Sequence, residues 1–332
     1  MIIYAVSNLW LSQMIRCVVI GTGRIALSHI PHMICNSKVD VVAAVEPNFI
    51  MRLVMRKLLK ISVYKSVDSV TMDSIDAALI LTPPSAHFEL TKRYLTEGKH
   101  VFVEKPLTLD PDESSELLEL ARSNKLQISS GYVYRFHPIY RKVKQILKEN
   151  SFGVPESCSI EMVGNVVSES NSKSWRSTGK GAGCLYDYGC HAIDLAIFFF
   201  GKPKTVECLS KTELFQVGVV DRFKARLNQS IPVEISCDWA NESVRKAGLK
   251  IIIRTDRNIL VTDGQSINVE GEDNISIKDL DTDVSYYLRG EEFQMQMDTF
   301  FEAISSGKLE WKSAEEAVIC DQIISDLYEV IL

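Results

Sequence analysis

Five short apolar runs rich in valine and isoleucine punctuate the first 131 residues: Ile15–Ile20, Val39–Val45, Ile75–Leu81, Val101–Val103 and Gln127–Gly131. Runs of this length that are continuously apolar, rather than alternating, read as strands buried on both faces of a parallel sheet. The stretches between them read as helices, and one opens with Pro111-Asp112-Glu113, a proline and two acids suited to a first turn. Strand alternating with helix from about residue 14 to 131 predicts a doubly wound parallel sheet, an α/β fold.

The pattern changes after Tyr134-Arg135-Phe136-His137-Pro138. A helix is predicted over Ile139–Glu149, and Ser157–Val163 then alternates apolar and polar residues as a half-exposed strand does. Further short alternating runs follow at Thr205–Leu209, Val217–Ala225, Val233–Trp239, Leu249–Arg254 and Ile259–Thr262, with turn signals at Asp263-Gly264 and Gly271-Glu272. They predict a large, mostly antiparallel open sheet with one wet face. Two amphipathic helices, Glu291–Ser306 and Ser313–Ile331, end the chain. The expected division is an extension over 1–13, an α/β domain over 14–134, and an α+β domain over 135–332 whose last helices pack back on the first domain.

Composition narrows the function classes. A chain of 332 residues with 46% hydrophobic and 24% charged residues has ample core for two globular domains. The net charge of -6 disfavours nucleic acid or an anionic membrane as partner. Eight cysteines occur without a C-x-x-C pair and mostly in apolar surroundings, which fits reduced thiols in a cytoplasmic protein. Met1–Gln13 is apolar but has no basic start, so a signal peptide is not expected. Met14 directly precedes the first strand, so these 13 residues read as an extension or an upstream start. No stretch reaches the roughly 18 apolar residues of a membrane span.

Candidate chemistry begins at Gly21-Thr22-Gly23-Arg24-Ile25-Ala26, a G-x-G-x-x-A turn between strand and helix. Gly21 permits the tight turn, Gly23 lets backbone approach a pyrophosphate, and Ala26 allows close helix packing. Glu46 ends the second strand, where a carboxylate accepts ribose hydroxyls and repels a 2′-phosphate, favouring NAD over NADP; its alternative role is a helix cap. Thr82-Pro83 makes a stiff loop suited to lying against a flat ring. His87 follows one turn into a helix, either as a cap or facing the cofactor edge. Glu104-Lys105-Pro106 ends a buried strand, and the proline holds Lys105 extended where the sheet's ligands lie.

A second constellation is Asp187-x-Gly189-x-His191-x-x-Asp194, entered through the glycine turn Gly181-Ala182-Gly183. Placed on one helix, Asp187, His191 and Asp194 share a face, and ionisable groups in so apolar a segment need partners or a cavity. A histidine beside carboxylates suits a general base. A metal pair and a buried hydrogen-bond network remain alternatives, although no third metal ligand stands at motif spacing.

Taken in order, Gly21-Thr22-Gly23, Glu46, Thr82-Pro83, Glu104-Lys105-Pro106, Tyr134-Arg135-Phe136 and Asp187-x-Gly189-x-His191-x-x-Asp194 resemble the glucose-fructose oxidoreductase / inositol dehydrogenase / MocA family. The resemblance implies a Rossmann domain and a C-terminal open sheet whose outer face often joins subunits, hence a homo-oligomer, dimer or tetramer. It implies NAD(P)-dependent chemistry on a sugar, polyol or sugar nucleotide. It carries the catalytic roles to Lys105, His191 and Asp187, and substrate contacts to Arg135, Trp175, Arg176, Asp187 and His191. Cofactor contacts go to Gly21, Thr22, Gly23, Arg24, Ile25, Glu46, Thr82, Pro83, His87, Glu104 and Lys105, with no metal. Two other functions stay open: a lyase or glycosidase that oxidises transiently, and a regulatory protein that binds NAD without catalysis.

Overall fold

Ile15–Ile20 (β1), Val39–Val45 (β2), Ser62–Tyr64 (β3), Ala77–Ile80 (β4), His100–Val103 (β5) and Ile128–Ser130 (β6) pair in parallel, in the order β3-β2-β1-β4-β5-β6. The computed structural model describes residues 14–166, 176, 178, 181–245, 247–278 and 290–331. β4 and β5 are buried along almost their whole length, as continuously apolar runs predict. The strand order reverses between β1 and β4, and in an open α/β sheet the crevice for a ligand lies there, outside the strands' carboxyl ends.

Helices cover both faces. Ala26–Cys35 (α1) and Phe49–Leu59 (α2) lie on one face. The helix Glu291–Ser306 (α7) joins them, packing Met297, Phe300 and Phe301 into one core with Ile30, Met33, Met55, Leu79 and Phe102. His87–Thr96 (α3) and Pro111–Ser123 (α4) cover the other face, and Lys312–Ile331 (α8) packs on α4. The larger core runs from there into the second sheet, enclosing Trp239, Phe223, Tyr132 and Ile193.

The second sheet has eight strands: Pro155–Val163 (β7), Thr205–Thr212 (β8), Arg222–Asn228 (β9), Pro232–Asp238 (β10), Gly248–Thr255 (β11), Asn258–Thr262 (β12), Ser266–Gly271 (β13) and Ile275–Lys278 (β14). Their order is β14-β13-β12-β11-β7-β10-β9-β8, antiparallel except for the β10–β7 pair. Burial alternates residue by residue along β9, β10 and β11, so one face meets Pro138–Glu149 (α5) and Cys190–Phe200 (α6) while the other stays wet. One expected strand is displaced: Val217–Ala225 gives way to β9, which starts at Arg222. Asp221 draws the N–H groups of Leu214 and Phe215 onto its carboxylate and Gly218 turns at φ 80°, so the residues before Arg222 close a turn instead of extending.

Candidate active site

The glycine turn sits at the C-terminal end of β1. Gly21 has φ 88°, and a Cβ there would meet the Leu81 carbonyl oxygen at 2.8 Å, so only glycine fits. A Cβ on Gly23 would meet nothing within 4 Å, which leaves open space over the start of α1. That helix has no side-chain cap and no acid in its first turn; the N–H groups of Ala26, Leu27 and Ser28 donate back to the carbonyls of Gly23, Arg24 and Ile25, so what its start offers this space is the positive end of the dipole. Arg24 and Ile25 complete the turn, Arg24 exposed and Ile25 half-buried. Glu46 closes it from β2: one carboxylate oxygen accepts the N–H and the hydroxyl of buried Thr22 at 3.1 and 2.8 Å, the other the N–H of Asn48 at 2.9 Å. Asn48, not Glu46, caps α2 through Met51.

Exposed Pro83 and half-buried Thr82 form the next wall. His87, expected at the cofactor edge, is fully buried. Its Nδ1 lies 2.7 Å from the Pro106 carbonyl oxygen and its Nε2 3.0 Å from that of Thr82. Burial lowers its pKa against the opposing pull of the two carbonyls; as a neutral ring it donates to one of them, and both ring nitrogens face the Thr82 loop and the Lys105-Pro106 turn. Glu104 is likewise turned inward. It accepts from His29 Nε2 at 2.7 Å and from the Lys105 N–H at 3.1 Å, so it supports the strand end from behind. Burial alone would raise its pKa, but His29 and Lys105 outweigh burial and keep it a carboxylate.

Lys105 does meet the second constellation. Its Nζ donates to the Asp187 carboxylate at 3.0 Å and to the Asp187 carbonyl oxygen at 2.9 Å, across 82 residues of sequence. Arg176 Nε donates to the other Asp187 carboxylate oxygen at 3.0 Å. Burial would push the Asp187 carboxyl up, but the two cations hold it well below the usual carboxylate range. Burial would lower the Lys105 pKa, but Asp187 and Glu104 keep it above its ordinary value, so the amine is an ammonium throughout the neutral range.

The shared face expected for Asp187, His191 and Asp194 divides. Leu185–Gly189 forms a π-turn, whose i→i+5 bonds change the angular phase ahead of α6. Asp187 faces Lys105, whereas Asp194 accepts two bonds from Arg135 Nε, at 2.8 and 3.0 Å, and one from Nη2 at 2.6 Å. Arg135 also bridges Glu316 of α8, and its side chain is only 9% exposed. Arg135, expected as a substrate contact, here has its guanidinium on two carboxylates and joins α6 to α8. His191 opens α6, half-buried, with its ring 4.8 Å from that of Tyr134 and 6.4 Å from that of Tyr132. Trp175 lies outside the described residues.

Two buried polar neighbours of the site escaped the sequence reading. His29 falls in the buried phase of α1 with Ala26, Ile30 and Met33, a signal that could have marked it. Asp321 of α8 is buried and accepts the Thr108 N–H and the Ser114 hydroxyl, just past the Lys105-Pro106 turn. Among the described residues no group of three or more His, Cys, Asp and Glu could hold a metal ion.

The residues present fit a dinucleotide: a helix start without a side-chain cap beneath open space at Gly23, a carboxyl group at Glu46, and an ammonium at the strand end. Comparison with known proteins agrees. Residues 15–132 match an oxidoreductase family described by its NAD-binding Rossmann fold, GFO_IDH_MocA, and residues 140–261 match the GFO/IDH/MocA C-terminal domain. An uncharacterized oxidoreductase of Schizosaccharomyces pombe, C115.03, is 30% identical over 242 residues, covering 69% of this chain and 66% of the relative. The scyllo-inositol 2-dehydrogenase (NADP(+)) IolW of Bacillus subtilis is 27% identical over 168 residues, covering 50% of this chain and 46% of the relative. The chain spans about half the length of the first curated relatives it matches. In fold it is similar to a levoglucosan dehydrogenase solved with NADH and levoglucosan, at TM-score 0.83 and 16% identity, covering 96% of this chain and 98% of that one. With both of its domains matched in order and its motifs in place on the expected sheet, this chain belongs to the GFO/IDH/MocA family of oxidoreductases.

Proposed function

We propose that this protein is an NAD-dependent oxidoreductase that interconverts a secondary alcohol and the matching ketone on a sugar, polyol or sugar nucleotide. The observation that carries the reading is the meeting of Lys105 with Asp187 at the strand end, with Arg176 on the other carboxylate oxygen. A bound nicotinamide supplies acceptance or donation of hydride. Lys105, held as an ammonium, stabilises the negative charge that develops on the substrate oxygen. Asp187, held ionised, aims Lys105 and accepts a hydrogen bond from a substrate hydroxyl. His191 takes the proton from the reacting hydroxyl in the oxidation and returns it in the reverse direction. Arg176 and Trp175 hold the substrate's remaining oxygens and ring.

The test is a panel of sugars, inositols and sugar nucleotides with NAD, read by NADH absorbance. A rise with at least one cyclic secondary alcohol is expected, and silence across the panel in both directions would sink the reading. Substrate loss without NADH would point instead to elimination with hydride return.

Glu46 supports NAD over NADP, because a carboxylate held in place by Thr22 and Asn48 repels a 2′-phosphate. Nicotinamide fluorescence titration should give tighter NADH than NADPH binding, and Glu46→Ser should narrow the gap. Equal wild-type affinities would remove Glu46 from the argument.

The homo-oligomer is also a proposal, built on the outer face of the second sheet. That face is charged, with Arg226 bridging Glu234 and Arg222 bridging Asp238, so a second subunit would meet it through polar contacts. Light scattering should report a dimer or tetramer that Arg226→Glu weakens.

A further inference from the structure

His29 has no place in the reaction as described, yet it occupies the junction of three elements. Its ring is fully buried, edge-on to Phe102 of β5 at 5.2 Å and to Phe293 of α7 at 5.0 Å. Its Nε2 meets the Glu104 carboxylate at 2.7 Å, while its equally enclosed Nδ1 has no hydrogen-bond partner. An apolar pocket tolerates an imidazole with one nitrogen unsatisfied only if the other makes a bond worth the cost of burial. Glu104 is as tightly caged. A Cβ on Gly131 would lie 2.9 Å from the Glu104 Cα, Cδ and Oε2, so glycine is required there to admit this carboxylate. The second Glu104 oxygen takes the N–H of Lys105. A chain of two hydrogen bonds thus joins α1, whose start faces the open space at Gly23, to the backbone of Lys105.

We infer that His29 is a positioning residue: through Glu104 it ties the phosphate-facing helix α1 to Lys105, fixing the lysine's backbone and keeping a second carboxylate near its ammonium. The inference rests on the reading of Lys105 as the residue that stabilises charge on the substrate. The charged and titratable groups around this link are His29 on Glu104, His87 and Lys105 beside it, and Asp187 with Arg176 and Cys190 on the far side of Lys105. Without the His29 donor, burial pushes Glu104 up against Lys105 alone, and Lys105 leans more on Asp187 as its anion.

The experiment reads Lys105 directly and needs no substrate. Amine labelling with a small acylating reagent is followed by peptide mass spectrometry across pH on the full chain. His29→Phe, which keeps an aromatic ring but no donor, should move the pH of half-labelling of Lys105 downward. His29→Gln, which can donate to Glu104 again, should restore the wild-type curve. Glu104→Gln, which keeps shape and loses charge, should reproduce the His29→Phe shift and covers the case in which His29→Phe does not fold. Unchanged Lys105 labelling in the folded variants would overturn the inference. A substrate panel that finds no turnover leaves this readout intact, so failure of the proposed function and failure of the link are told apart.

Discussion

Two ion-pair clusters stand seven residues apart on one segment, Lys105–Asp187–Arg176 and Arg135–Asp194–Glu316. Both join the segment to distant parts of the chain, and both combine arginine with aspartate. They differ in balance and access. In the first, two cations flank one carboxylate, and the side chains keep 14–27% of their surface in solvent. In the second, one guanidinium serves two carboxylates, with Asp194 only 1% exposed. A ligand oxygen can approach the first and meet the N–H donors of Lys105 and Arg176. In the second it would have to part a buried pair whose members cannot be rehydrated. Residue type and pairing therefore do not separate a reactive cluster from a clamp; the surplus of donors over carboxylates in the pair and an open side do.

The sharpest way to break this comparison is Lys105→Met. If the first cluster is the reactive one, turnover should fall by about 10³-fold or more while NADH affinity and unfolding midpoint change little, because Arg176 still pairs with Asp187. His191→Asn should slow turnover by about 10²–10⁴-fold with cofactor binding intact. Normal rates in either variant would remove that residue from the mechanism.

Arg135→Met should do the reverse. It strands Asp194 in the interior, a loss of about 3–5 kcal/mol measured by urea denaturation, while the folded fraction keeps its KM. A stable variant with an altered KM would return Arg135 to the substrate site.

Asp321 extends the comparison to a buried carboxylate that has hydrogen-bond donors but no ion-pair partner among the described residues. Burial pushes its pKa up to about 7, against 3.8 for a free carboxyl, with the Ser114 and Thr108 donors only partly opposing. A group whose pKa is higher in the folded state binds its proton more tightly there. Stability contributed by Asp321 is therefore present below about pH 4 and lost as pH rises toward 7. Asp321→Asn should flatten that slope and stabilise the protein at pH 8 relative to wild type, by at most roughly 1.4 kcal/mol per pH unit of the window. Parallel denaturation curves at pH 5 and pH 8 for the two proteins would refute it.

Much of the fold was legible locally. Continuous apolar runs marked β1, β2, β4 and β5, and alternation marked β7, β10 and β11, because burial on two faces or one imposes a pattern on neighbouring residues. The turn at Gly21 was legible for the same reason, since its backbone conformation is a property of a few consecutive residues. β9 was misjudged because Asp221 acts on Leu214 and Phe215, a side-chain contact that periodicity does not register.

The sequence by itself determined which positions would be buried, where the strands end, and which ionisable groups would need partners. Only the tertiary structure decided who those partners are: Asp187 for Lys105, Arg135 for Asp194, His29 for Glu104, each pair 59 or more residues apart. The physical reason is that burial is a demand each segment announces in its own pattern. A charge's role depends on what remains unsatisfied after distant segments have packed around it.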